Sequence, residues 1–368
     1  MRFFKRSIMI LFFIPVLMVA CATEPAEEKP LNIILLIGDG MAEVQITAAK
    51  YAQGSLHMER FPHMGSVTTH STRRVTDSAA GATALSTGYK TDNGMLAMLP
   101  DGTPLQTIAH YANEIGKSTA IMADVRIVHA TPAGFGIHHD NRRDEFVIAE
   151  KYVDSGIDML LGSGYTHFLP EEAGGSRTDG RNLIAEMEEQ GYVFIQDEDR
   201  IEEIANHDRV VAFLTPTNLS RYPERGDQMN RLAKAALKSL SNNDNGFFMM
   251  IEGGQIDWAG HDNDADWLIQ EMIAFDNVIG DILDFAEEDG NTLVIVTADH
   301  ETGGLTLRRG ETNQDLYHSF SSDYHTAVMV PVLSYGPGAE RFSGIQDNTD
   351  VARHMFELWG KTLDKQTN

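Results

Sequence analysis

The sequence predicts an α/β protein: a large, mostly parallel central sheet flanked by helices on both faces. Three observations carry that prediction. Short apolar runs recur along the chain: "LNIILLI" (31–37), "KSTAIMA" (117–123), "DMLLG" (158–162), "FFMMIE" (247–252), "TLVIVTA" (292–298) and "AVMVPVLS" (327–334). Several are apolar throughout, as strands covered on both faces are. Helix-period segments such as 227–241 and 264–288 lie between them, and strand–helix alternation is the pattern of a parallel sheet with helices on both sides. No internal repeat, low-complexity tract or interdomain linker follows residue 30, so residues 31–368 read as one domain.

The segment ahead of the first strand is not part of that fold. Residues 1–20 combine a basic start (Arg2, Lys5, Arg6) with an apolar stretch from Ile8 and small Ala20, which is a secretory signal. Cys21 follows directly, in the manner of a bacterial lipoprotein, and residues 21–30 read as a lipid anchor and polar tether. The expected location is outside the cytoplasm, periplasmic or at the cell surface. Cys21 is the only cysteine, so the exported domain has no disulfide. No later segment is apolar for long enough to span a membrane. With 29 Lys+Arg against 54 Asp+Glu, the net charge of −25 repels nucleic acid and anionic lipid.

Along the first strand, "LLIGD" ends on Asp39; the stretch "VTDSAAGATALSTG" (75–88) follows. Asp77 and Ser78 stand before a run of very small residues, which is what a helix N-cap looks like. No histidine follows closely and the G-x-S-x-G frame is absent, so no neighbour in sequence deprotonates Ser78. The strand "FFMMIE" ends on Glu252, and "LVIVTADH" ends on Asp299 and His300. Acids and a histidine at the carboxyl ends of three strands mark the edge where open α/β sheets bind ligands. In "IEGGQIDWAGH", Asp257 and His261 are four apart and share a face on a helical turn. "TADHETGG" has glycines that let adjacent Asp299 and His300 turn together, and "YHTAVMVPV" adds His325. Carboxylate plus imidazole suits zinc, and carboxylate with hydroxyl and water suits magnesium. Two other patterns are set aside. "GDGMAE" has Glu43 where a dinucleotide fingerprint needs its third glycine. "DNDADW" (262–267) has Trp267 where a calcium loop needs glycine, and reads as a helix start. His138, His139 and His318 read as solvated or hydrogen-bonded.

With these motifs in this order, from "NIILLIGDGM" to "VPVLSYGPG", the chain resembles the alkaline phosphatase family over nearly all of residues 31–368. The resemblance implies a phosphomonoesterase with two zinc ions and one magnesium, acting through a phosphoserine. Residue by residue, it implies one zinc held by Asp257, His261 and His325 and a second held by Asp39, Asp299 and His300. Asp39 would bridge to the magnesium, with Thr131 of "HATPAG" and Glu252. Ser78 falls on the nucleophile. Arg142 of "HHDNRRDEF" falls on the arginine that clamps phosphate, with Asp77 orienting it; spacing from Thr131 distinguishes it from Arg143. A cation lowers the pKa of a bound hydroxyl, which answers the missing base. Four carboxylates only partly neutralise three divalent ions, so the cluster stays positive. A protein of net −25 can then hold a phosphate dianion, because its bulk field is screened over about 8 Å.

The chain departs from the enteric members of that family at two positions near the third metal and the phosphate: His129 replaces an aspartate and Trp258 a lysine. His129 suits zinc at the third site, so that ion is magnesium or zinc. Trp258 removes a positive charge beside bound phosphate. Residues 301–324 between His300 and His325 leave room for a loop and a short hairpin, not the crown subdomain of longer relatives. The family implies a homodimer and small-molecule phosphate monoesters as substrates. Neighbouring readings are a phosphodiesterase or another hydrolase of the same superfamily, and a phosphate-binding lipoprotein without turnover.

Overall fold

The computed structural model describes residues 29–308 and 316–364. The expected signal segment and Cys21 lie outside the described residues. Ten strands form one sheet: β1 (Asn32–Gly38), β2 (His63–Thr68), β3 (Ser118–Arg126), β4 (Met159–Ser163), β5 (Val193–Ile195), β6 (Val210–Phe213), β7 (Phe247–Gly253), β8 (Thr292–Thr297), β13 (Val330–Tyr335) and β14 (Gly344–Asp347). Four two-residue strands lie outside it: β9 (Glu301–Thr302), β10 (Thr306–Leu307), β11 (His318–Ser319) and β12 (His325–Thr326). The sheet order is β14-β2-β13-β8-β1-β7-β3-β4-β6-β5. Every neighbouring pair is parallel except those of β13, which runs antiparallel to β2 and β8. The sheet is therefore large and mostly parallel, as its apolar runs require.

β1 occupies the middle because all seven of its residues are buried, the pattern of a strand with helices on both faces. β7 and β8 on either side are equally buried. The longest helix, Ala265–Asp289, starts at Asp264, whose carboxylate caps the amide of Trp267. That capped start is the role of the "DNDADW" segment. The helix Ser78–Thr87 is buried at every residue, which its Ala, Gly, Ser and Thr composition permits.

One expectation is corrected, and four strands were not foreseen. The last predicted strand starts three residues late, at Val330 and not Ala327: Val328 and Met329 are 49% and 40% exposed on the approach to the sheet. The strands β2, β5, β6 and β14 carried no readable pattern. β5 and β6 have three and four residues, too few for a period to show. β14 is an edge strand with exposed Gly344 and Ile345. Between His300 and His325, β10 pairs antiparallel with β11; residues 309–315 between them lie outside the described residues.

Candidate active site

Strand register decides where the acids go. Ile37 of β1 pairs with Glu252 of β7 on one side and Thr297 of β8 on the other. Asp39, Glu252 and Asp299 therefore leave the sheet at one level, on its carboxyl edge. Ala123 of β3 also pairs with Glu252, and the chain after β3 leads through His129 to Thr131 in the helix Ala130–Gly136.

Three groups of side chains there can each hold a cation, with ligand atoms within 4.8 Å of one another: Asp257, His261 and His325; Asp39, Asp299 and His300; and Asp39, His129 and Glu252. In the first, the helix Gln255–His261 carries Asp257 and His261 one turn apart, with His261 Nε2 3.4 Å from Asp257 Oδ2. His325 Nε2 lies 3.2 Å from His261 Nε2. Both outer nitrogens face carbonyls: His261 Nδ1 sits 2.7 Å from the carbonyl of Asp323, and His325 Nδ1 sits 2.9 Å from that of Thr76. A carbonyl only accepts, so each Nδ1 carries the proton and each Nε2 lone pair faces the cluster. In the second, His300 Nε2 is 3.2 Å from Asp299 Oδ2 and 3.4 Å from Asp39 Oδ1.

Asp77 caps the helix Ser78–Thr87, accepting from the amide of Ala80 at 3.1 Å, so Ser78 is the first helical residue. Ser78 Oγ faces His300 Nε2 at 3.3 Å. The other oxygen of Asp77 accepts from Arg142 Nη1 at 3.0 Å. Burial opposes the charge on Arg142, but Asp77, together with Asp39 and Asp257, holds the guanidinium above its ordinary value. Arg143 is exposed. The small residues of this helix matter for contact: a Cβ on Gly81 would stand 2.8 Å from Asp299 Cβ. The helix that Ser78 begins thus rests directly on the acid strand-end.

In the third group, Thr131 Oγ1 lies 3.4 Å from Asp39 Oδ2 and His129 Nδ1 lies 3.9 Å from Glu252 Oε1. His129 Nε2 also faces Arg142 Nη2 at 3.3 Å. Arg142 only donates, so a hydrogen bond there puts the imidazole proton on Nδ1, whereas ligation through Nδ1 would put it on Nε2 against the guanidinium. The two roles exclude each other. Trp258 packs edge-on against His129, 6.0 Å between ring centroids.

The chemistry of the pocket asks for cations. Asp39 Oδ1, both oxygens of Glu252 and Asp299 Oδ2 are buried without a hydrogen-bond partner, which costs several kcal/mol for charged groups left so. Burial, with Asp299 and Asp257 next, raises Asp39 well above its ordinary value. Burial and Asp124 do the same to Glu252, and burial with Asp257 pushes Asp299 up to about 7. Burial also holds His300 well below its ordinary value, so it is neutral and free to ligate. Acids this crowded are stable as anions only beside positive charge.

A profile of the alkaline phosphatase family matches residues 30–321. The chain belongs to the alkaline phosphatase family. Alkaline phosphatase 3 of Bacillus subtilis is 32% identical, over 90% of this chain and 89% of its own. The solved alkaline phosphatase of the Antarctic bacterium TAB5 is 36% identical with a TM-score of 0.85, over 91% of this chain and 100% of that one. The solved enzyme of Thermus thermophilus is 26% identical with a TM-score of 0.81, over 90% of this chain and 91% of its own. The chain is a phosphatase, with the family's sheet and with groups able to bind metals at its carboxyl edge.

Every site residue expected from the sequence of this phosphatase lies at that edge, but sequence reading passed over the residues that hold them. Asp124 of β3 accepts from the amide of Gly254 at 2.7 Å, where the helix bearing Asp257 and His261 begins. Asp124 is held in turn by buried Arg225, whose Nη2 is 3.4 Å from Asp124 and 2.6 Å from Glu271. Glu271 accepts from the indole of Trp267 and the amide of Tyr222. A lone Asp in an apolar strand was the available signal. Replacing Arg225 with Met leaves two buried carboxylates without their cation, and we expect it to cost about 3–5 kcal/mol. Urea unfolding measures this; a loss under about 1 kcal/mol would contradict it.

Proposed function

We propose that this phosphatase hydrolyses small-molecule phosphate monoesters through a phosphoserine at Ser78, with Asp39, Thr131, Glu252, Asp257, His261, Asp299, His300 and His325 holding two zinc ions and one magnesium. The observation that carries the reading is the convergence, on one sheet edge, of a helix-starting serine, a carboxylate-held arginine and three cation-binding groups. Arg142 presents a planar donor fork to the phosphoryl oxygens, and the Asp77 carboxylate keeps that fork in place. The amino end of the helix Ser78–Thr87 favours the same negative charge. Ser78 Oγ forms its bond to phosphorus as the bond to the leaving oxygen breaks in line, and a water oxygen later displaces Ser78 Oγ to release phosphate. Cations held by the three groups would supply the positive charge that acidifies a hydroxyl and stabilises a departing oxygen.

The deciding experiment compares an aryl phosphate monoester with the matching diester, using metal-stripped protein with zinc and magnesium restored. Monoester turnover that returns with metal supports the reading. Diester turnover exceeding it moves the protein to a diesterase, and metal-dependent phosphate binding without turnover makes it a binding protein.

The ion at the third group rests on His129. Variants of the Antarctic enzyme with one histidine changed to aspartate or glutamate are described with magnesium bound in a site named M3. Aspartate at position 129 adds a hard oxygen ligand that accepts from Arg142 without a tautomer conflict. The H129D protein, reloaded from an equimolar mixture, is expected to carry a higher magnesium-to-zinc ratio. Elemental analysis reads it, and an unchanged ratio would remove His129 from the choice of ion.

The same reading includes export, a lipid on Cys21 and a homodimer, as the leader sequence and the family suggest. The mass of the mature amino-terminal peptide and sedimentation of the purified protein test these.

A further inference from the structure

Of the three histidines in the first two groups, His261 and His325 each have a carbonyl at Nδ1 that fixes the tautomer. His300 has none. Its Nδ1 has one hydrogen-bond partner among the described residues, Thr302 Oγ1 at 3.3 Å. The same hydroxyl is hydrogen-bonded to Asp257 Oδ1. A hydroxyl has one proton to give, and an ionised carboxylate only accepts. The Thr302 proton therefore goes to Asp257, and the Thr302 oxygen is left to accept from His300 Nδ1–H.

That order decides which face of the imidazole is open. With the proton on Nδ1, the Nε2 lone pair faces Asp299 Oδ2 at 3.2 Å, Asp39 Oδ1 at 3.4 Å and Ser78 Oγ at 3.3 Å. The two carboxylates pull the other way. A proton on Nε2 would be donated to one of them and would close that nitrogen to a cation. One hydroxyl opposes the pull, and the chain around it is fixed. Thr302 is fully buried; its amide donates to the carbonyl of Gly40 at 3.1 Å, and its carbonyl accepts from Gln45 Nε2 at 3.2 Å. It also pairs with His325 across β9 and β12. Two glycines make room for the side chain. A Cβ on Gly40 would stand 2.9 Å from Thr302 Oγ1, and one on Gly260 would stand 3.0 Å from Thr302 Cβ.

We infer that Thr302 is a positioning residue of the phosphatase site: its hydroxyl presets His300 to bind a cation and ties the group of Asp257 to the group of His300. Thr302 lies behind these side chains, at the His300 nitrogen that faces away from Ser78, so it acts through them. Outer partners of this kind commonly change metal affinity by about 10- to 100-fold. The inference rests on the proposed metal-bearing site and identifies a residue that orders it.

The test equilibrates the protein with zinc buffers of set free concentration and reads bound zinc by elemental analysis. Thr302→Val keeps the branched shape between the two glycines and removes the hydroxyl. Its half-filling point is expected to move to about 10- to 100-fold higher free zinc, while Thr302→Ser stays within about threefold of wild type. Monoester turnover by Thr302→Val should fall at limiting zinc and recover to within about threefold of wild type once the sites are full. Should the valine variant not fold, Thr302→Ala set against Thr302→Ser isolates the hydroxyl in the same way. An unchanged half-filling point in Thr302→Val overturns the inference. An equal shift in Thr302→Ser does so too, because packing and not the hydroxyl would then be the cause. A loss of turnover that persists with the sites full would also overturn it. Wild-type protein that fills with zinc but turns over no monoester would defeat the proposed function, while the half-filling points still decide the role of Thr302.

Discussion

Ser78→Ala protein is expected to lose about 10³-fold or more of kcat/KM on an aryl phosphate monoester, the scale on which removal of a nucleophile acts. The loss should fall on chemistry and spare the architecture. Asp77 still caps the helix through Ala80 and still holds Arg142. The carboxylate and imidazole members of all three cation-binding groups are untouched, so the metal content should match the wild type. The 3.3 Å contact with His300 is the polar partner given up, and stability should change by about 1 kcal/mol or less. Steady-state kinetics, elemental analysis and thermal melting on one preparation read all three. Activity within about tenfold of wild type would remove Ser78 from the role of nucleophile.

Chelation is expected to destabilise the protein, and more strongly as pH rises. Without cations, burial and neighbouring acids raise Asp39 and Glu252 well above their ordinary values and push Asp299 up to about 7. In the unfolded chain an aspartate returns to about 3.9. Between those two values the folded protein holds more protons than the unfolded chain, so its stability falls with rising pH, and the contribution is lost above the folded value. Cations bind the deprotonated carboxylates, so metal binding strengthens over the same interval. Each site filled at a hundred times its Kd adds about 2.7 kcal/mol. The gap in Tm between metal-loaded and chelated protein should therefore widen from about pH 6 to about pH 8. A gap that narrows would show that these carboxylates are not what the cations neutralise. Using the difference between the two forms cancels titrating groups elsewhere in the fold.

By itself the sequence determined the fold class, the central strands and the residue types of the site. A fully buried strand must be apolar along its length, and β1, β7 and β8 are, so they are readable without their neighbours. The i, i+4 spacing of Asp257 and His261 is likewise local, and so is the cap at Asp77. Short edge strands such as β14 escape because half of β14 faces water. Tertiary structure alone decided which side chains meet and what holds them. Asp77 reaches Arg142 across 65 residues and Asp124 reaches Gly254 across 130. The ring order His300–His325–Tyr324 joins residues from β8's end and β12. Periodicity tells a strand which face to bury, but it does not name the strand's partner. Register does, and register is set by packing the whole sheet at once.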